Sequence, residues 1–134
     1  MDAIDLNVIS DDRGSLITIE KYLNIPFAIR RIYYIFGTKE DVSRGYHAHR
    51  DLQQLIICVA GSCRMTLDDG VKPVNHILDR PNKAVLVRNL VWREMHDFSE
   101  DCVLMVVASE VYDERDYIRD HSEFLRLIRN AQHS

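Results

Sequence analysis

Apolar and polar residues alternate with a period of two over short stretches along most of the chain, and the period lengthens to a helical one only near the C-terminal end. Ile4 to Val8 alternates, Asp11-Asp12-Arg13-Gly14 makes a turn, and Ser15 to Glu20 alternates again. After Pro26, the stretch Ala28 to Phe36 is rich in β-branched and aromatic residues, as strands are. A polar loop over Thr38 to Ser43 leads to strand-like segments at Gly45 to His49, Gln54 to Ala60 and Ser62 to Leu67. The last runs into Asp68-Asp69-Gly70, a hairpin signal. Val74 to Leu78, Ala84 to Val87, Trp92 to Phe98 and Cys102 to Ala108 complete a set of about ten strands, the pattern of an all-β sandwich or barrel. From Asp113, an N-cap residue with Asp116 in the first turn, Tyr117, His121, Phe124 and Ile128 fall on one stripe with Leu125 beside it. That spacing predicts one amphipathic helix over about residues 114–130, packed outside the β-structure, with His121 in a structural place.

The length of 134 residues suits one domain spanning the whole chain, and 46% hydrophobic residues fill one core. A net charge of −4 gives no reason to expect nucleic acid or an anionic membrane as partner. No apolar run approaches the roughly 18–20 residues of a membrane span. The acidic start, Met-Asp-Ala-Ile-Asp, is not that of a signal peptide. Three cysteines, Cys58, Cys63 and Cys102, stand in apolar surroundings and read as reduced thiols of a cytoplasmic protein.

The chemistry gathers in Arg44 to Gly61. His47 and His49 are two apart on a strand, so both imidazoles project to one face, about 7 Å apart along the chain. Such a pair serves either as two metal ligands or as a proton-transferring pair. Four residues separate His49 from Gln54, and six separate Gln54 from Gly61. This pattern resembles the first motif of the cupin superfamily, small β-barrels of jelly-roll type. There a glutamate usually supplies the third metal ligand and a later histidine another. Here those positions carry Gln54, a poor ligand, and the neighbourhood of Trp92, which is none. No metal is therefore expected, and two imidazoles suit abstraction of a proton beside a carbonyl, with donors to stabilise the enolate. Arg31 and Tyr33 share a strand face, Arg44 stands at the mouth of the histidine strand, and Arg13 lies on a glycine turn.

Further stretches carry a closer resemblance: Arg13-Gly14-Ser15-Leu16, Ile25-Pro26-Phe27, Arg31 to Phe36, Arg44 to His49, Gly61 to Arg64, Leu67 to Gly70, Trp92 to Ser99 and Asp116 to Arg119. The chain is similar over nearly its whole length to the nucleotide-sugar 3,4-ketoisomerases that act on dTDP-4-keto-6-deoxy-glucose. The resemblance implies a metal-free cupin barrel, homodimers that exchange N-terminal strands, and movement of a ketone from C4 to C3 with no cofactor. It places His49 as the base at C3, His47 as its partner at C4, and Tyr33 beside them. Arg31, Arg44 and Arg13 would bind substrate with Gln54. Trp92 is a candidate for stacking on thymine, and no glycine-rich loop is present to hold the diphosphate. A galacto product is favoured over a gluco one, for a deoxyamino sugar of an O-antigen or S-layer glycan. The alternatives are a dTDP-sugar epimerase, a metal-dependent cupin dioxygenase and a non-catalytic ligand-binding cupin.

Overall fold

The computed structural model describes residues 2–132. Its strands are β1 (Asp2–Asp5), β2 (Ile9–Asp11), β3 (Gly14–Leu16), β4 (Arg31–Ile35), β5 (Arg44–His49), β6 (Gln54–Ala60), β7 (Cys63–Asp68), β8 (Pro73–Leu78), β9 (Lys83–Val87), β10 (Trp92–His96), β11 (Val103–Ala108) and β12 (Tyr117–Ile118). One helix, α1 (His121–Gln132), follows. Two five-stranded sheets carry the architecture, in the orders β1-β9-β6-β11-β4 and β12-β5-β10-β7-β8, and β2 and β3 form a separate hairpin. Every named strand pair is antiparallel. This is the all-β architecture with a C-terminal helix expected from the pattern of the chain, and the jelly roll that the cupin resemblance implied.

The inner faces of the two sheets meet over Ile56, Met65, Leu67, Val85, Val87, Phe98, Leu104 and Val106. β6 is buried along Gln54–Cys58 because its other face is covered too. There Leu55 and Ile57 join Leu86 and Val107 under Leu6, Ile25 and Phe27 from the N-terminal segment. That covering role explains why Ser15 to Glu20 is not one strand. Pairing stops at Leu16, and Ile17 and Ile19 turn onto this outer cluster instead.

The helix is shorter than the stripe predicted. Asp113 caps a single 3-10 turn, Glu114–Asp116, by accepting from the Arg115 N–H at 3.0 Å. Tyr117–Ile118 then pairs with His49 and Ala48 as a strand. Asp120 is the cap of the true helix, accepting from the Ser122 N–H at 2.8 Å. Phe124 is fully buried against Trp92, Ala48 and Ile118, a contribution of about 1.5–3 kcal/mol from one side chain. Tyr117 therefore leaves the helical stripe and lies over the histidine strand. Among the described residues no helix is long and apolar enough to cross a membrane.

Candidate active site

β5 carries the histidines, and its shape depends on Gly45. The backbone there has φ +94°, and a Cβ would sit 2.9 Å from the Arg93 carbonyl oxygen. Tyr46 follows at φ +59°, and the β5–β10 register shifts between Arg93 and Glu94. The strand is bulged here, which re-aims the side chains that follow. His47 and His49 then project to one side, their rings 4.9 Å apart and nearly perpendicular at 89°. The Tyr117 ring covers both, at 5.0 Å from His47 and 4.4 Å from His49.

Two adjoining cavities open on this pair. One, of about 480 Å³, is lined by His47, Tyr33, Arg44 and Arg119. The other, of about 340 Å³, is lined by His49, Asp116 and Asp51. Arg31, Tyr112 and Tyr117 border both. The Arg31 guanidinium lies 4.8 Å from the Tyr33 ring, and that of Arg119 lies 4.3 Å from the Tyr117 ring. Three guanidinium groups, those of Arg31, Arg44 and Arg119, thus face the larger cavity, where their forked donors suit phosphate oxygens.

His49 is fully buried. Its Nδ1 lies 3.0 Å from Asp116 Oδ2, while its Nε2 is buried with no partner. Asp116 is itself fixed, accepting from the Asp51 N–H at 2.8 Å and the Leu52 N–H at 3.3 Å. A carboxylate can only accept, so Nδ1 carries the proton and Nε2 presents a lone pair. Burial first, then the charge of Arg93, pull the pKa of His49 down to about 2 and that of His47 down to about 4. Both imidazoles are neutral bases at physiological pH.

Tyr33 accepts from Gln54 Nε2 at 3.0 Å, and Gln54 Oε1 accepts in turn from Arg93 Nη1. Since the phenol oxygen is already an acceptor, its hydrogen is left to donate. Burial, the largest influence on it, raises the Tyr33 pKa and keeps that hydrogen in place. Arg93 is only 1% exposed, is bonded also to the Val91 carbonyl, and has no carboxylate bonded to it among the described residues. Burial lowers its pKa to about 10, which leaves it cationic at neutral pH.

His47, His49, Tyr33, Arg31 and Arg44 are thus brought together as the sequence suggested. Gln54 stands just behind them and touches Tyr33, so it positions that side chain. Two of the candidates stand apart from the cavities within a single chain. Trp92 does not line either cavity. It is buried under α1, 4.9 Å from the His121 ring and 5.8 Å from Phe124, with its indole N–H on Glu94 Oε2. Side chains alternate along β10, so Trp92 faces the helix and Arg93, paired in register with His47, faces the site. Arg13 also lies away from the cavities, at the tip of the β2–β3 hairpin, bonded to Asp11. Sequence reasoning missed Arg93, Asp116, Tyr117 and Arg119. The alternation along β10 was the one available signal for Arg93.

A cupin metal does not fit this donor set. Gln54 Oε1 is occupied by a guanidinium, and the buried charge of Arg93 beside both histidines opposes a cation there.

The FdtA family model, described as WxcM-like, C-terminal, matches residues 1–129. The chain belongs to this family. It is 52% identical over 125 residues to a TDP-4-oxo-6-deoxy-alpha-D-glucose-3,4-oxoisomerase from Aneurinibacillus thermoaerophilus, with 93% of this chain and 90% of that protein covered. A 3,4-ketoisomerase from Helicobacter canadensis superposes with a TM-score of 0.92 at 45% identity, covering 96% of each chain. A sugar 3,4-ketoisomerase from Thermoanaerobacterium thermosaccharolyticum, solved in complex with TDP, gives 0.93 at 41% identity over 97% of this chain and 95% of that one. The ketoisomerase resemblance and the cupin-like fold read from the sequence both hold within this WxcM-like family.

Proposed function

We propose that this chain is a TDP-sugar 3,4-ketoisomerase that converts TDP-4-keto-6-deoxyglucose to the 3-keto isomer through an enediol. The observation that carries the reading is the pair of neutral, ring-to-ring histidines beside a tyrosine hydroxyl, with three arginines facing the same space. In this reading His49 Nε2, held by Asp116, takes the C3 proton. The electron pair moves toward the C4 carbonyl, and the developing oxyanion accepts a hydrogen bond from Tyr33. His47 returns a proton at C4, the O3 hydroxyl loses its own, and the ketone stands at C3. The reaction is internally redox-neutral, so no electron acceptor enters its balance. Arg31, Arg44 and Arg119 hold the diphosphate.

The reading includes a homodimer with exchanged N-terminal strands. Its support is the row of exposed apolar side chains Ile32 and Tyr34 on the outer face of edge strand β4 and Phe36 just beyond it, with Ile9 and Leu16 on the hairpin. Exchange would carry Arg13 from the hairpin to the partner's site, the only way it contributes to binding here. The enzyme would act in the cytoplasm, supplying a deoxyamino-sugar route to an O-antigen or S-layer glycan, with the galacto product.

Proton NMR of the protein with TDP-4-keto-6-deoxyglucose tests the reading. The expected result is loss of substrate and a 3-keto sugar with the small H4–H5 coupling of an axial C4 hydroxyl. A large coupling would give the gluco product, and inversion without ketone movement would make the chain an epimerase.

A further inference from the structure

All three cysteines of the chain converge on one point at the far end of the barrel. Cys58 comes from β6, Cys63 opens β7 and Cys102 precedes β11, and each is at most 2% exposed. Their sulfurs all lie within 4.8 Å of one another, with Cys58 and Cys102 3.5 Å apart. The histidine site is elsewhere. Gln54, which touches that site, is at the opposite end of β6, about 13 Å along the strand from Cys58.

These distances approach those of three ligands around one centre. With metal–sulfur bonds of about 2.3 Å, three thiolates on a common centre sit about 3.8–4.0 Å apart. Only small adjustments of the side chains would bring all three sulfurs to such a centre. The surroundings decide which ion. The cluster is embedded among Met65, Leu78, Phe98 and Leu104, where a net charge is expensive. Three thiolates on a monovalent or divalent cation leave a net negative charge in that core, whereas a trivalent centre leaves none. Burial among apolar side chains disfavours thiolates, so the free site is a set of neutral thiols. They favour a ligand that arrives neutral and removes their protons as water.

We propose that Cys58, Cys63 and Cys102 form a three-thiol site for a trivalent thiophilic centre of the arsenite class. Arsenous acid meets the balance. Three As–O bonds break, three As–S bonds form, and each thiol proton leaves with a hydroxide as water, with no change of oxidation state. Entry runs through the turns that close this end of the barrel. They are held by the Ser62 N–H on Ser99 Oγ at 2.8 Å, the Ser99 N–H on the Ser62 carbonyl at 2.9 Å and the Cys102 N–H on the Ser99 carbonyl at 3.1 Å. Binding therefore waits on local opening of that latch and is slow.

The test is incubation of the reduced protein with arsenite, removal of excess ligand, and native mass spectrometry with thiol counting after denaturation. One arsenic per chain with all three thiols protected is expected, and bound arsenite should raise the melting temperature. Cys63→Ser should weaken retention by at least about a hundredfold, since loss of even an outer partner of a metal ligand costs up to that much. Stoichiometric binding by the parent protein is read without any variant, so a Cys63→Ser chain that fails to fold leaves the test intact. No retained arsenic, or three thiols still free, would overturn the proposal. Tighter retention of cadmium than of arsenite in direct competition would overturn the charge argument and the ligand class with it.

Discussion

His49 Nδ1 and Asp116 Oδ2 are 3.0 Å apart, although 67 residues separate them in the chain. The carboxylate fixes the tautomer that leaves Nε2 as the base, and two backbone N–H groups hold the carboxylate. An amide at position 116 has a single acceptor oxygen, so it keeps only one of those N–H groups, and its NH2 can donate to Nδ1, which then no longer requires a proton. For Asp116→Asn, kcat is expected to fall roughly 10²–10³-fold with the fold retained. Nitrogen NMR of the imidazole should show the Nδ1–H tautomer in the parent protein and a mixture in the variant. An unchanged tautomer with unchanged kcat would remove Asp116 from the proton-transfer machinery.

The depressed histidine pKa values set a pH window. Below about 6.5 the unfolded chain protonates both imidazoles. The folded chain does so only near about 4 for His47 and about 2 for His49. The unfolded state thus binds more protons, so stability present above pH 6.5 is lost as pH falls through that window. Denaturant midpoints should drop between neutral pH and 4, while kcat/KM keeps its plateau to about pH 5 because the bases stay neutral. An acid limb in kcat/KM centred near 6.5 would contradict this.

After burial, the charge of Arg93 is the next largest cause of that depression. Its guanidinium is buried without a bonded carboxylate and bears on both histidines and on Tyr33. Arg93→Met fills similar volume and removes the buried charge, but leaves acceptors on Gln54 and Val91 unpaired. These effects oppose each other, so stability should stay within about 2 kcal/mol of the parent. Activity should fall by about a hundredfold as Tyr33 loses the Gln54–Arg93 support that holds it toward the oxyanion, and the acid limb of the pH profile should move up toward 6.5. Thermal melts and pH–rate profiles on the same preparation separate these effects. Parent-like rates with an unshifted limb would reduce Arg93 to a packing residue.

Trp92 belongs to the interior under α1. Trp92→Ala is expected to lower stability by about 3–5 kcal/mol through the cavity it leaves against Phe124. Trp92→Phe should largely restore stability, with KM for the TDP-sugar unchanged. A raised KM in the Phe variant at normal stability would return Trp92 to the nucleotide site.

The contrast between Trp92 and Arg93 shows what was legible in the sequence. The period of two sufficed to place His47 and His49 on one face, and Arg31 with Tyr33 on another strand's inner face. Burial of Gln54–Cys58 was readable as a continuous apolar run that follows Gln54. Which face of β10 met the histidines was not readable. That depends on the β5–β10 register and on the bulge at Gly45–Tyr46, both set by tertiary pairing. Tyr117 and Asp116 were hidden for a related reason. Their spacing fits a helical stripe, yet two backbone pairings with β5 hold Tyr117–Ile118 extended. A two-residue strand carries no periodicity to detect. The helix itself, from Phe124 onward, followed its apolar stripe.

Paired proton transfer by the histidines is tested most directly by deuterium entry into TDP-4-keto-6-deoxyglucose in D₂O, comparing the parent protein with His49→Asn and His47→Asn. The parent should place deuterium at C3 of substrate or C4 of product. His49→Asn should bind substrate and abolish exchange at C3, whereas His47→Asn should retain C3 exchange and lose formation of the 3-keto sugar. Loss of C3 exchange only in His47→Asn would reverse the two roles. Parent-like exchange in both variants would contradict the account outright.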